Sequence, residues 1–474
     1  MMLKQTKIVA SISDLRCEVD FIRDLFNAGM NVVRMNTAHA SREGFEKLIN
    51  NVRTVSNRIG ILMDTKGPEV RTTASAEGPI DFKTGEKVRI VGNPEQETTH
   101  ECIAVTYPGF VHDLSVGADV LMDDGELALK VIDKNEDTLF CEVRNDATLG
   151  SRKSVNVPGV RINLPSLTEK DRNNILYAIE KDIDFIAHSF VRNRQDVLDI
   201  REILDAHHSD IKIIAKIENP EGVENIDAII AAADGIMVAR GDLGVEIPAE
   251  EVPVVQKELI DKCRIAGKPV ITATQMLDSM KKFPRPTRAE VSDVATAVLQ
   301  GTDCVMLSAE SASGDYPIEA TSMQGKISRT MEKYLNYELL AREAYDTSEK
   351  NNNDAIANSV ANTALLIGAK LIVCFSETGA TGKRISKARP ICPILSFSNK
   401  REVCLEGALY WGIHPVLIPY IPQFIEEMEA LALVKAHELQ IPAGTPIIIT
   451  GGTPTGVSKT NFMKIVNVNE IKDI

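Results

Sequence analysis

Residues 212–242 carry the sequence KIIAKIENPEGVENIDAIIAAADGIMVARGD. Two apolar runs rich in β-branched residues, 212–218 and 235–242, flank an amphipathic stretch, a pattern typical of a strand, a helix and a second strand. Six further runs of this kind bring the predicted strands to eight: 7–13, 31–36, 60–65, 184–189, 212–218, 235–242, 269–275 and 303–310. Eight strand-then-helix units predict an α/β fold, a closed parallel (β/α)8 TIM barrel.

The first connection between strands predicts a helix over Asp14 to Ala28. Ser13 can cap its amino end and Gly29 can close its last turn, while Val19, Ile22 and Phe26 share one apolar face.

Two further domains are predicted around the barrel. Short alternating strands at 87–91, 120–129 and 138–143 indicate a β-rich insertion, which leaves the barrel after its third strand, at the rim where barrel active sites form, and so predicts a lid. Apolar strands at 371–375, 393–397, 415–418 and 446–450 indicate a separate carboxyl-terminal α/β domain. The predicted boundaries are 1–68 and 158–345 for the barrel, 69–157 for the lid and 346–474 for the last domain.

Composition narrows the class of protein. The 474 residues are 44% apolar and 25% charged, which is typical of a folded chain, and the net charge of -14 argues against nucleic acid as a partner. Eight cysteines lie scattered without a C-x-x-C pair, so we expect reduced, buried thiols and no disulfide or zinc site. No segment has the ~18 uninterrupted apolar residues of a membrane span, and the amino terminus lacks a long apolar core. A cytoplasmic location without membrane attachment is predicted.

Polar residues recur at the carboxyl ends of the predicted strands. Any one of them is more commonly a turn or helix cap, but their convergence on one rim favours an active site. They are Arg34, Asn36, Asp64, Thr65, Lys216, Glu218, Arg240, Asp242, Thr274, Ser308 and Glu310.

Strand residues two apart face the same way, so Lys216 is expected to project with Glu218, and Arg240 with Asp242. Two carboxylates supply oxygen ligands suited to magnesium, although a pair of structural salt bridges is the alternative.

The cations near these carboxylates favour the metal site over the salt bridges. Arg34, Arg71 and Lys216 exceed what two carboxylates need, which indicates an anionic ligand such as phosphate. A metal-dependent phosphotransferase is therefore predicted.

Several long motifs resemble the pyruvate kinase family, and the similarity extends over the whole chain. They are DTKGPEVR at 64–71, KIENPEG at 216–222, GIMVARGDLGVE at 235–246, ATQMLDS at 273–279, PRPTRAE at 284–290 and GGTPTGVSKTN at 451–461. The resemblance implies that the chain transfers the phosphoryl group of phosphoenolpyruvate to ADP, giving pyruvate and ATP, the last step of glycolysis. Such a reaction asks the protein for positioning and charge neutralisation more than for covalent chemistry.

The resemblance also assigns roles to individual residues. Lys216 matches the transition-state stabiliser, and Glu218 and Asp242 match ligands of Mg²⁺ or Mn²⁺. The remaining matches are Gly241 and Thr274 for the substrate carboxylate, Arg34 and Arg71 for phosphate, and His39, Arg71 and Lys153 for the nucleotide.

A monovalent-cation site is implied in the same way. Asn36, Asp64 and Thr65 match potassium ligands of the family, whereas its usual serine is replaced by Ala38. Glu69 stands where potassium-dependent members carry glutamate, so a requirement for K⁺ is expected.

The last domain carries a candidate effector loop, SETGATGK at 376–383. Small hydroxyl residues, two glycines and a lysine between a strand and a helix suit phosphate as well as an ordinary turn. The family's phosphorylated-effector site at this place favours binding by Ser376, Thr378, Gly379, Thr381 and Lys383. The family also implies a homotetramer.

Two other functions fit part of the pattern. A mutase or aldolase that handles phosphoenolpyruvate or pyruvate enolates would share the metal carboxylates but would not need a nucleotide lid. A catalytically weakened paralogue would act as a sensor or scaffold, and the presence of Lys216, Glu218, Asp242 and Thr274 argues against it.

Overall fold

The computed structural model describes residues 3–37, 41–76, 78–454 and 460–469. In these residues the chain forms a β/α barrel, a β-rich domain inserted into it and an α/β domain after it. The fold class predicted from the sequence is confirmed.

The strands and helices are numbered in chain order. The strands up to the end of the insertion are β1 (Lys7–Ser11), β2 (Val32–Asn36), β3 (Gly60–Asp64), β4 (Ile80–Phe82), β5 (Lys87–Val91), β6 (Cys102–Ala104), β7 (Asp119–Met122), β8 (Leu127–Lys134), β9 (Leu139–Val143), β10 (Ala147–Leu149) and β11 (Val155–Asn156). The later strands are β12 (Phe185–His188), β13 (Lys212–Ile217), β14 (Gly235–Ala239), β15 (Val270–Ala273), β16 (Cys304–Leu307), β17 (Ile372–Phe375), β18 (Ile394–Ser398), β19 (Ile413–Leu417), β20 (Pro446–Gly451) and β21 (Phe462–Asn467). The helices are α1 (Val19–Ala28), α2 (Arg42–Val55), α3 (Phe110–Asp113), α4 (Glu169–Glu180), α5 (Arg194–Ala206), α6 (Pro220–Glu224), α7 (Ile226–Ala232), α8 (Arg240–Glu246), α9 (Val252–Ala266), α10 (Arg288–Leu299), α11 (Ala309–Ala312), α12 (Pro317–Met331), α13 (Tyr337–Asp346), α14 (Asn352–Ile367), α15 (Ala380–Lys387), α16 (Arg401–Glu406) and α17 (Ile425–Glu438).

The eight predicted barrel strands all form, and they close in the order β1-β16-β15-β14-β13-β12-β3-β2. Every pairing between them is parallel. Side chains such as Val9, Leu62, Phe185, Ile214 and Met237 fill the interior, while the outer face packs against the helices. Because both faces are buried, the strands are continuously apolar, which made them visible in the sequence.

The first helix begins later than predicted. It starts at Val19, and the hydroxyl of Ser13 accepts the N–H of Leu15 at 3.2 Å instead of capping a helix. This local hydrogen bond satisfies the backbone in a turn, which competes with helix formation. The predicted carboxyl end is confirmed, since the N–H of Gly29 closes the last turn from a φ of 120°.

The sixth barrel strand ends earlier than predicted, at Ala239. The chain turns there into α8, so Arg240 and Asp242 are helical, and the prediction that they project together from a strand is wrong. Two residues two apart on a helix point about 200° apart instead of sharing a face.

The inserted domain holds a six-stranded sheet in the order β11-β7-β8-β9-β5-β6 and the two-stranded sheet β10-β4 around its own core. The predicted strand 120–129 is two strands, β7 and β8. Between them Asp123, Asp124 and Gly125 all have positive φ, near 54°, 55° and 90°. Aspartate and glycine tolerate this backbone region, which makes the tight turn.

The last domain contains a five-stranded sheet in the order β19-β18-β17-β20-β21. Its final strand, β21, runs antiparallel to β20 and was not predicted from the sequence. The eight cysteines are free and buried, as expected. The exact domain boundaries stay predictions.

Candidate active site

The residues that follow the barrel strands meet at the carboxyl rim. Asn36 ends β2 and lies opposite Asp64, which ends β3, while Glu218 follows β13 and Thr274 follows β15. Parallel strands bring all their carboxyl ends to one side of the barrel, so residues far apart in sequence become neighbours.

Lys216 lies at the centre of this rim. Its ammonium contacts Asp64 Oδ1 at 3.1 Å, Glu218 Oε1 at 3.0 Å and Ser189 Oγ at 2.7 Å, and its side chain is only 11% exposed. Burial lowers the pKa of Lys216, but the carboxylates of Asp64 and Glu218 outweigh it and hold that pKa above its usual range. The lysine is therefore a fixed positive charge at neutral pH.

Asp64 joins two of the cations. Its Oδ2 atom accepts the Nε–H of Arg34 at 2.7 Å, and a second guanidinium nitrogen donates to Ser11 Oγ at 2.8 Å. Burial opposes the charged form of Asp64, but Lys216 and Arg34 outweigh it and keep its pKa below the usual range. The next residue, Thr65, is buried, and its hydroxyl accepts the N–H of Ser189 at 3.2 Å.

Two carboxylates of the rim, Glu218 and Asp242, have pKa values above their usual range. Burial raises the pKa of Glu218, which Lys216 opposes and the charge of Asp242 reinforces. Burial likewise raises the pKa of Asp242; Lys216 opposes this shift, and the charges of Asp124, Glu69 and Asp64 add to it. The two carboxylates stand in an environment short of positive charge.

This shortage fits a divalent cation. Among the described residues, no three His, Cys, Asp or Glu side chains are arranged to hold a metal. Magnesium needs only one or two carboxylates because water and substrate oxygens complete its shell. A pair such as Glu218 and Asp242 satisfies that requirement, and a metal ion would offset their repulsion.

Thr274 and Gly241, which the resemblance assigns to the substrate carboxylate, lie in contact with each other. The N–H of Gly241 donates to Thr274 Oγ1 at 2.8 Å, and that hydroxyl donates to the carbonyl of Ala273 at 2.6 Å. Thr274 and Gln275 have φ values of 70° and 52°, a strained backbone in which β-branched threonine is rare. This backbone conformation places the Thr274 hydroxyl against the start of α8.

The cations are not in excess, so that part of the sequence interpretation is wrong. Arg34 and Lys216 share Asp64, and Arg71 pairs with Glu69 at 2.6 Å. Each of the three already has a carboxylate because Asp64 and Glu69 lie closer than the sequence revealed. The charges that lack full compensation are instead the carboxylates of Glu218 and Asp242, whose pKa values are raised.

Two other rim residues have structural roles. Arg240 bonds to both oxygens of Asp293 at 2.5 and 2.7 Å and to the carbonyl of Thr274 at 2.7 Å, so it holds the backbone of the site in place. Glu310 accepts the backbone N–H groups of Leu277 and Ser308, at 3.1 and 2.8 Å.

The two described nucleotide candidates belong to the inserted domain. Arg71 donates to the carbonyl of Arg152 at 2.8 Å, next to Lys153, whose ammonium pairs with Asp123 at 2.8 Å. Glu69 raises the pKa of Arg71 through its hydrogen bond, against a smaller effect of burial. The third nucleotide candidate, His39, lies outside the described residues, as does Ala38 of the predicted potassium site.

Sequence reasoning missed two groups of the site. One is the hydroxyl of Ser189, which accepts a hydrogen bond from the Lys216 ammonium. The other is the backbone N–H of Phe190, which donates to Glu218 Oε2 at 2.5 Å. Ser189 ended a predicted strand in the same way as the residues that were singled out, so the same rule would have found it. A backbone donor has no signature of its own in a sequence.

The candidate effector loop joins β17 to α15. Lys383 pairs with Glu406 at 2.5 Å, and the hydroxyls of Thr381 and Thr460 lie 2.7 Å apart. Gly379 begins the helix from a φ of 71°, and the N–H of Ser376 bonds to the carbonyl of Phe397. Thr378, next to these groups, is exposed to solvent.

Comparison with known proteins identifies the family. Residues 3–321 match the family model of the pyruvate kinase barrel domain, and residues 354–466 match that of the pyruvate kinase alpha/beta domain. The chain belongs to the pyruvate kinase family. It is therefore a phosphotransferase with pyruvate kinase activity, and the mutase and aldolase alternatives are set aside.

Individual relatives agree with this assignment. A pyruvate kinase of Geobacillus stearothermophilus is 46% identical over 99% of this chain and 81% of its own length. One of Borreliella burgdorferi is 45% identical over 99% of this chain and 98% of its own length. A crystal structure of a pyruvate kinase from Cryptosporidium parvum superposes with a TM-score of 0.93 at 39% identity, covering 98% of this chain and 96% of that one.

Proposed function

We propose that transfer of the phosphoryl group from phosphoenolpyruvate to ADP takes place at the rim centred on Lys216. The bond between phosphorus and the enolate oxygen breaks, a bond from phosphorus to a terminal oxygen of ADP forms, and the enolate takes a proton at carbon to give pyruvate. The observation that carries this proposal is the buried Lys216 ammonium 3.0 Å from Glu218, with the Asp242 carboxylate near enough to raise the pKa of Glu218.

Glu218 and Asp242 would hold Mg²⁺ or Mn²⁺. A bound divalent cation supplies charge neutralisation for phosphoryl and enolate oxygens. The Phe190 N–H fixes one oxygen of Glu218, and the Lys216 ammonium contacts the other. Glu218 is therefore held in one orientation, as a metal ligand needs.

Lys216 and Arg34 would neutralise the phosphoryl oxygens during transfer. Both are held by Asp64, so their positions are set before substrate arrives and little reorganisation is needed. Gly241 and Thr274 would bind the substrate carboxylate, by exchanging the hydrogen bond between them for bonds to that anion.

Asn36, Asp64 and Thr65 would form a potassium site close to Glu69. The charges of Glu69 and Asp64 both reach Asp242 and raise its pKa, which supports their placement around one pocket. A monovalent cation would offset part of this negative charge.

Arg71, Lys153 and His39 would bind the phosphates of ADP from the side of the inserted domain, which would act as a lid. Arg71 and Lys153 are half-exposed and paired with Glu69 and Asp123. The Lys153 pair has a single contact and is partly exposed, so it contributes little to stability and phosphate can displace Asp123 at small cost, whereas Glu69 holds Arg71 by two hydrogen bonds.

The last domain would bind a phosphorylated effector at Ser376, Thr378, Gly379, Thr381 and Lys383, and the enzyme would act as a homotetramer. The described part of the chain has no helix with the length and apolarity to span a bilayer.

A coupled assay tests the proposed reaction directly. Pyruvate should form from phosphoenolpyruvate and ADP only with Mg²⁺ or Mn²⁺ present, and pyruvate formation without ADP or without a divalent cation would contradict the proposal. A protein that binds both substrates without turnover would instead be the sensor or scaffold.

A further inference from the structure

The inserted domain rejoins the barrel through residues 155–164, called here the return segment. After β11 it has no helix or strand. With the loops that follow β12 and β13 and with α8, it lines a cleft of about 530 Å³ that opens beside Asp242. Any movement of the inserted domain must bend or shift this segment.

The return segment contacts two residues that lie a few positions after the candidate metal ligands, one after Asp242 and one after Glu218. Asn156 donates to Glu246 Oε1 at 2.7 Å, and Glu246 is the last residue of α8, the helix that carries Asp242. Arg161 lies 3.7 Å from Glu221, three residues after Glu218.

The two contacts differ in strength. The Arg161 side chain is 67% exposed, and an exposed pair at that distance contributes little. The bond from Asn156 is short, partly buried and accepted by a carboxylate, which makes it the stronger of the two. Glu246 is therefore the main side-chain tether between the return segment and α8 in the described residues.

Helix α8 is anchored at its other end as well. Arg240 bonds to Asp293, the N–H of Gly241 bonds to Thr274, and Leu243 is fully buried. Residues four apart lie on one face of a helix, so Glu246 is next to Asp242 along α8. Because its first residues are anchored, α8 can shift at its last turn only by pivoting about them, which changes the direction of the face that presents the Asp242 carboxylate.

We propose that Glu246 is a positioning residue that, through its hydrogen bond to Asn156, couples the position of the inserted domain to the Asp242 carboxylate. The inference rests on the proposed function only in taking Asp242 as a metal ligand. Coupling of this kind is reciprocal: a fixed inserted domain strengthens metal binding, and a bound metal favours the fixed position.

The first test measures the position of the inserted domain without metal. All eight native cysteines are buried, so nitroxide labels can be placed at Glu95→Cys in the inserted domain and Asp205→Cys on α5, two exposed sites. Pulsed electron spin resonance should give a narrow distance distribution for the labelled parent protein. Glu246→Ala and Asn156→Ala should each broaden it, whereas Glu246→Gln, which keeps an acceptor oxygen, should preserve it.

The second test follows Mn²⁺ binding through the electron spin resonance signal of the free ion. Glu246→Ala and Asn156→Ala should raise the dissociation constant about tenfold, the lower end of the range for groups that support a metal ligand, and Glu246→Gln should stay within about threefold. Glu250→Ala, a carboxylate lost from an exposed site just beyond α8, is the matched control and should change neither readout.

The outcomes test the tether separately from its coupling to Asp242 and from the proposed metal site. An unchanged distance distribution in both alanine variants overturns the tether, and a broadened distribution with unchanged Mn²⁺ binding overturns its coupling to Asp242. Turnover of the parent protein without any divalent cation would overturn the proposed metal site and leave the first test of the tether standing.

Discussion

Three carboxylates, Asp64, Glu218 and Asp242, surround the single ammonium of Lys216 at the barrel rim, and the balance among them sets the chemistry of the site. Asp64 is compensated by Arg34 and Lys216, so it stays ionised. Burial raises the pKa of Glu218 and of Asp242 in spite of Lys216, so these two carboxylates are the ones that the proposed divalent cation would stabilise.

Replacing Lys216 by methionine should lower kcat by at least ~10² to 10³, the scale of one lost transition-state donor, and leave substrate binding largely intact. Steady-state kinetics with both substrates varied gives the measurement. Lys212→Met, at the opposite end of the same strand, is the control. Near-normal kcat in the Lys216 variant would remove this residue from the mechanism.

Replacing Asp242 by asparagine removes a negative charge from the proposed magnesium site, so half-saturation should need more Mg²⁺. The initial rate is measured against Mg²⁺ concentration at saturating substrates. Asp227→Asn, on the exposed side of α7, should leave the titration unchanged. An unchanged titration for Asp242→Asn would count against this ligand.

The dependence on potassium tests Glu69 and position 38. Full activity of the wild type should require K⁺. Glu69→Lys should relax that requirement because it places a fixed positive charge near Asp64, and Ala38→Ser should lower the half-saturating K⁺ concentration because it restores an oxygen ligand. Rates are measured against K⁺ concentration, with a bulky organic cation holding the ionic strength. Full wild-type activity without K⁺ refutes the charge argument, and identical curves for wild type and Ala38→Ser refute the missing-ligand argument.

At the scale of elements, the loop between β17 and α15 combines a helix start, the exposed hydroxyl of Thr378 and a lysine that already has a partner. Lys383 is held by Glu406 and lies 5.6 Å from the ring centre of Tyr410. A phosphorylated ligand must therefore compete with Glu406 for Lys383, which makes the charge of the ligand important.

A sugar phosphate or nucleoside monophosphate should bind this loop and change the affinity for phosphoenolpyruvate, with a coupling of roughly 1 to 3 kcal/mol. Saturation curves with and without the metabolite measure the coupling. Thr378→Ala and Lys383→Ala should abolish it, whereas Lys387→Ala, at the far end of α15, should keep it. An effect that survives both loop substitutions would place the effector elsewhere.

At the scale of the whole molecule, the barrel and the last domain meet through buried charge. The Lys7 ammonium donates to the carbonyl of Ile413, and Arg389 pairs with Asp303 at 2.9 Å with both side chains 2% exposed. Breaking such a buried pair leaves an uncompensated charge, so the interface tolerates loss of one partner poorly.

The pH dependence of stability tests this interface through Lys7. Burial, reinforced by the charge of Lys4, lowers its pKa to about 7, against smaller opposing effects of Cys304, Glu332 and Asp303. Since the unfolded chain keeps its lysines protonated to well above pH 7, it binds more protons than the folded protein above that pH. Stability should therefore rise with pH as Lys7 loses its proton.

Lys7→Met should remove this rise. Thermal unfolding gives the measurement: the Tm of wild type minus that of the variant should increase by about 1 °C between pH 7 and pH 8. Lys47→Met, on the surface helix α2, should follow wild type. A constant difference across this range would show that Lys7 keeps its proton in the folded protein.

The sequence determined the elements because burial leaves a local trace. The barrel strands were predicted to within a few residues since both of their faces are buried and must be apolar. The starts and ends of elements were predicted less accurately. Ser13 closes a turn and does not cap a helix. Strand β14 ends at Ala239 and α8 follows, because a polar run after a strand fits a strand end and a helix start equally well. Strand β21 was missed because only its pairing with β20 makes it a strand.

For the site, the sequence determined which residue types reach the rim, and the tertiary structure decided how they pair. Lys216, Glu218 and Thr274 follow from their places at strand ends, which parallel strands bring to one side of a barrel. The sharing of Asp64 between Arg34 and Lys216, the Phe190 N–H on Glu218 and the tether between Asn156 and Glu246 join positions 28 to 152 residues apart. Hydrogen bonds and ion pairs act over a few ångströms in space, and only the closed barrel with its inserted domain sets those distances.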